Sequence, residues 1–164
     1  MSRRFSSREK RRPTVLLPDS NVWLALVLSK HVHHAAVRDW LNTVSEPGSV
    51  LFCRATQQSL VRLLTNASVL RPYGNPPLTN REAWNVYEAL LADDRIVLRA
   101  EEPSALEHRW KVFALREAAS PKLWMDAYLA GFAIAAGLRM VTTDAAYGQF
   151  KGLDLELIGR SFGN

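Results

Sequence analysis

Three aspartates are placed where a carboxylate needs a reason. Asp19 follows the uncharged apolar run VLLP, and Asp144 follows MVTT, another short apolar run. Asp126 lies in WMDAYLAGFAIAAG, where nearly every neighbour is a core-type residue. A carboxylate among such residues is costly unless it is paired, hydrogen-bonded or bound to a cation. If the two apolar runs are adjacent strands, their ends bring all three acids to one edge of a sheet. Ionised together they repel, and each proton is held more tightly until a cation arrives. An all-oxygen donor set suits Mg²⁺ or Mn²⁺ better than zinc. Ions held in this way orient a phosphodiester, lower the pKa of an attacking water and stabilise the leaving oxygen. The chemistry pointed to is hydrolysis of a nucleic acid backbone, with Asp19, Asp126 and Asp144 as both metal-binding and catalytic residues.

Each acid also has a simpler reading. Asp19 can cap a helix beginning near Asn21, Asp144 can cap the turn through Ala145 and Ala146, and Asp126 can face a helix dipole from its first turn. Asn21 and Thr143 are expected to support the acids, as a turn former or ligand partner and as a hydroxyl donor beside Asp144.

The elements that must position these residues are short strands alternating with helical patterns. TVLLP, SVLFC (49–53), IVL (96–98), RMVTT (139–143) and DLELI (154–158) read as strands. Between them lie helical stripes: Val37, Trp40 and Leu41; Leu60, Leu63 and Leu64; Ala83, Val86, Tyr87 and Leu90; Leu106, Trp110, Phe113 and Ala114. Thr79 and Glu82 have capping-box spacing, Ser120-Pro121 reads as a helix start, and Gly137 as a helix stop. RPYGNPPL (71–78) is a loop. The alternation predicts an α/β fold, three-layered α/β/α, with a mostly parallel central sheet.

A chain of 164 residues, 48% hydrophobic and 23% charged, suits one domain with a real core. The formal charge of +5 is concentrated in residues 1–12, which carry six basic side chains and one acid, while the remainder is electroneutral. Residues 1–12 are therefore expected to be a basic, disordered leader, and 13–160 the folded domain. Arg54, Arg62, Arg71, Lys111, Arg116 and Lys122 are candidates for a local basic patch. The one cysteine, Cys53, excludes an internal disulfide and fits a reducing, cytoplasmic setting. No apolar run is long enough to span a membrane. His31, His33, His34 and His108 lack the converging partners of a zinc site. No GxGxxG or GxxxxGK[ST] phosphate loop occurs. Trp23 and Trp40 are candidates for a dimer face.

The segments VLLPDSNVWLAL (15–26) and WMDAYLAGFAIAAGLRMVTTD (124–144), supported by HHAAVRDWL (33–41), TQQSLVRLLTNASVL (56–70) and FKGLDLELI (150–158), resemble the PIN domain family and its VapC-like toxins. The resemblance runs from Val15 to Ile158. It implies a PIN-like α/β/α nuclease domain and a Mg²⁺- or Mn²⁺-dependent endoribonuclease acting on RNA. It also implies a homodimer and a cognate antitoxin protein that inhibits at the acidic pocket. Asp19, Asp126 and Asp144 match the family's metal-binding acids, and Asn21 and Thr143 match supporting polar positions. The family commonly has a glutamate on the helix after the second strand; here the alignment puts Gln57 there. An amide keeps an oxygen donor but loses the charge, so metal affinity is expected to fall. Arg62, on the same helix, is expected to meet substrate phosphates or an antitoxin carboxylate. The other readings are an RNA-processing or DNA flap nuclease using the same pocket, and a catalytically weak binding module.

Overall fold

A computed structural model describes residues 12–159; the predicted leader, apart from Arg12, lies outside them. Five strands form one sheet: β1 (Leu16–Pro18), β2 (Val50–Cys53), β3 (Ile96–Arg99), β4 (Arg139–Thr142) and β5 (Leu155–Leu157). Their spatial order is β3-β2-β1-β4-β5, and every pairing is parallel. The helices are α1 (Ser20–Val27), α2 (His34–Asn42), α3 (Arg54–Leu64), α4 (Ala67–Leu70), α5 (Asn80–Leu91), α6 (Leu106–Ala114) and α7 (Leu123–Ala136).

The central strands β1, β2 and β4 are buried on both faces, the edge strands β3 and β5 only in part, and the period of two sorts the core into two halves. Leu16, Val50, Phe52 and Val141 point to one side, where α1, α2, α3 and α5 pack. Leu17, Leu51, Cys53 and Met140 point to the other, under α6 and α7. The result is the expected three-layer α/β/α arrangement. On the first side Trp23 stacks on Phe52 with ring centroids 3.7 Å apart, and Tyr87 meets Phe52 edge-on at 5.2 Å. Trp23 and Trp40 are both buried in this layer, so neither forms the dimer face expected of them; the half-exposed tryptophans are Trp84 and Trp124.

The Thr79–Glu82 capping box forms, with each partner bonded to the other's backbone N–H. Gly137 ends α7 in the left-handed region at φ 67°. The helix after Ser120-Pro121 starts later than its sequence suggests. Its N-cap is Lys122, without a side-chain cap, and the Leu123 N–H bonds to the Ser120 carbonyl in a preceding turn.

Helices α6 and α7 approach closely at Gly131, where a Cβ would lie 3.2 Å from the Trp110 backbone nitrogen. That neighbour is held in a helix and has little room to yield. Gly131→Val is expected to lower stability by about 2 kcal/mol, read from urea melts, because the branched side chain forces the two helices apart.

Candidate active site

The chain runs outward from β1 through β2 to β3, then crosses back to place β4 on the other side of β1. The strand order therefore reverses between β1 and β4, and the crevice at their carboxyl ends is where such sheets hold ligands. Asp19 directly follows β1, and Asp144 follows β4 by two residues.

Asp19 is both a helix cap and a cleft residue. Its Oδ1 accepts the Val22 N–H at 3.0 Å, and its Oδ2 accepts the Thr142 hydroxyl at 2.6 Å. It is 3% exposed. Burial pushes its pKa up to about 6 against the pull of those hydrogen bonds, and the Asp126 charge adds to the rise. Asp126, in the first turn of α7, is also pushed up by burial. Its Oδ1 accepts the Tyr147 hydroxyl at 3.1 Å. Tyr147 itself is held far above the usual phenol range, first by burial and then by the charges of Asp19 and Asp126. Asp144 caps its own turn through the Ala146 N–H at 2.9 Å. It is pulled below the ordinary carboxylate range, chiefly by a 2.7 Å hydrogen bond from the Lys122 ammonium.

Lys122 is thus the cation between the acids: its Nζ is 2.7 Å from Asp144 Oδ2 and 4.0 Å from Asp126 Oδ2. A cleft of about 320 Å³ is lined by Asp19, Ser20, Asn21, Ser59, Arg62, Asn66, Lys122, Asp126 and Tyr147, among others. Asp144 does not line it; the Lys122 ammonium takes its Oδ2. Among the described residues, no three His, Cys, Asp or Glu side chains already stand close enough to close around one ion. The donor set nevertheless suits a hard divalent cation. Its donors are oxygens, two of its carboxyls hold protons more tightly than usual, and the Ser20 hydroxyl beside them is buried without a partner.

Two supporting residues differ from expectation. Thr142, not Thr143, holds the acids together. Its hydroxyl donates to Asp19 and accepts the Asp144 N–H at 3.0 Å, linking both strand ends. Strand alternation explains the choice, since Thr142 shares the face of Met140 and looks toward α7, whereas Thr143 turns away. Gln57 does not line the cleft. It lies on the buried stripe of α3 with Leu60 and Leu64, and its Oε1 accepts Arg54 Nη1 at 2.6 Å. The cleft-facing stripe is Ser59, Arg62 and Leu63, with Asn66 just beyond the helix, so α3 offers a hydroxyl where an acid was sought. Asn21 lines the cleft and is exposed. Of the basic candidates, Arg62 and Lys122 line the cleft, and Arg54 lies in an adjoining groove with Trp110, Trp124 and Tyr128. Tyr147 and Ser20 carried no signal in the sequence beyond their proximity to an acid.

A sequence profile of the PIN domain matches residues 16–153. Ribonuclease VapC41 of Mycobacterium tuberculosis is 59% identical over 146 residues, 89% of this chain and the whole of the relative. Ribonuclease VapC29 of the same organism is 52% identical over 54 residues, 33% of this chain and 38% of the relative. Among solved structures, M. tuberculosis VapC20, described as a sarcin-ricin loop cleaving toxin, superposes with a TM-score of 0.58 at 15% identity, covering 85% of this chain and 97% of its own. The DNA-bound VapBC of Salmonella typhimurium gives 0.59 at 15% identity, covering 88% of this chain and 98% of that one. At that identity these structures show the fold. The profile and the full-length relative show more: the chain belongs to the PIN domain family, in its VapC group.

Proposed function

We propose that the chain is a Mg²⁺- or Mn²⁺-dependent endoribonuclease acting as the toxin of a toxin–antitoxin pair. The observation that carries the reading is the convergence of Asp19 and Asp126 on one crevice at the sheet's carboxyl edge, with Asp144 tied to Asp126 through the Lys122 ammonium. The 59% identity to a relative named a ribonuclease supports RNA as the substrate. The similar chains solved as VapBC complexes support an antitoxin partner, and inhibition by that partner is expected at the acidic cleft. The protein is expected to work in the cytoplasm as a homodimer.

Asp19, Asp126 and Asp144 would hold the divalent cation, which supplies charge for the scissile phosphate and acidifies the attacking water. Thr142 holds Asp19 in place, and Tyr147 holds Asp126, so that both carboxylates are aimed before any ligand arrives. Arg62 faces the cleft from α3 and is placed to meet a phosphate. Hydrolysis of a labelled RNA panel tests the reading. Cleavage with Mg²⁺ or Mn²⁺, and none in chelator, is expected; cleavage that persists in chelator contradicts it.

Thr142→Val removes the hydroxyl that favours ionised Asp19. RNA cleavage at neutral pH is expected to fall roughly tenfold, and the acidic limb of the pH–rate profile to move upward. Partial recovery at higher pH separates this effect from misfolding.

A further inference from the structure

Lys122 sits badly for the helix that it begins. It is the N-cap of α7 with no side-chain cap bond, and a cation there opposes the helix dipole. What it gains is the acids. Its ammonium bonds Asp144 at 2.7 Å and approaches Asp126 to 4.0 Å, and the charge of Asp19 also reaches it. Among the described residues, no other Lys or Arg lies within ion-pair distance of these three carboxylates. The side chain is 70% exposed, so the ammonium can leave Asp144 for water or for a phosphate without being buried unpaired.

We propose that Lys122 is the cleft's own counter-cation, exchanging its bond to Asp144 for one to the phosphate of the bound RNA when a divalent cation takes the carboxylates. Asp144 Oδ2 cannot serve the ammonium and an ion at full strength together, so Lys122 and the ion compete for it. In the metal-free protein the lysine keeps the acids from repelling each other. In the loaded protein its four-carbon tether leaves it over the cleft, where it would otherwise face only solvent. The proposal rests on the metal-dependent reading given above.

The test pairs a Mn²⁺ titration of the chelator-stripped protein with RNA cleavage kinetics, for the wild type, Lys122→Met and Lys122→Arg. Lys122→Met is expected to bind Mn²⁺ roughly three- to tenfold more tightly, as an ion pair of this exposure allows. It is also expected to raise KM for RNA and to lower the salt dependence of RNA binding by about one phosphate contact. Lys122→Arg restores both toward wild type. This crossed pattern, metal tighter and RNA weaker, is not what a misfolded cleft gives, because damage weakens both. Mn²⁺ binding by Lys122→Met that is no tighter than wild type, or an unchanged KM, overturns the proposal. A wild type that binds no Mn²⁺ overturns it together with the metal-dependent reading.

Discussion

Asp19→Asn is expected to lower RNA cleavage by at least about a hundredfold, the scale on which catalysis falls when a metal-holding group is removed. The effect should exceed that of Asp144→Asn. Asp19 is almost wholly buried and fixed by bonds from Val22 and Thr142, so no other group can move into its place. Asp144 is more accessible and already shared with Lys122. Asp154→Asn is the matched control. It removes the same charge at the opposite edge of the sheet, where Asp154 pairs with Arg139 at 3.1 Å, and cleavage should be unchanged. Steady-state rates on one labelled RNA, at saturating Mn²⁺, check all three. Equal losses in Asp19→Asn and Asp154→Asn would mean that net charge, not the cleft, governs the rate.

The same residue makes the metal-free protein sensitive to pH. Asp19 has a native pKa of about 6 against an ordinary 3.8, so the folded state binds its proton more tightly than the unfolded state does. The stabilising contribution is fully present below about pH 4 and is lost as pH rises through 6. At neutral pH the loss is about 3 kcal/mol, since each unit is worth about 1.4 kcal/mol. Burial of Asp126 acts in the same direction, while the lowered pKa of Asp144 acts oppositely. Urea melts in chelator at pH 5 and pH 7.5 should therefore show Asp19→Asn gaining on the wild type as pH rises, by about 1.4 kcal/mol, since roughly half of the full loss is already taken by pH 5. Mn²⁺ at pH 7.5 should raise the midpoint of the wild type and leave the variant nearly unmoved, because bound ligand stabilises only the form that holds it. The two buried acids, Asp19 and Asp126, are thus destabilising until the site is loaded.

The acids themselves were legible because their setting was wrong for carboxylates. Two followed apolar runs and one interrupted an apolar helix, and both strand ends proved to flank the point where the sheet order reverses. The two readings of Asp19, helix cap and cleft acid, turned out to describe one side chain whose two oxygens do separate jobs. The support around them was harder to read. Choosing Thr142 over Thr143 needs the face of the strand, and that parity follows only once Leu17 and Met140 are known to pack under α7. Choosing Ser59 over Gln57 needs the phase of α3; Gln57 already stood three residues before Leu60 and seven before Leu64, spacing that marks it as inward. Tyr147 comes from a short turn with no periodicity, and its partner Asp126 is 21 residues away. The tryptophans were ambiguous for another reason, since an apolar ring suits a core and an interface equally. Only packing shows that Trp23 fills the space over Phe52.

Crystals of the wild-type protein equilibrated with Mn²⁺ and measured for anomalous scattering test the central claim most directly. The account predicts a peak in the β1/β4 crevice, within coordination distance of carboxylate oxygens of Asp19 and Asp126, with Asp144 released from Lys122. Saturating Mn²⁺ that leaves the crevice without a peak, with Lys122 still bonded to Asp144, would contradict it.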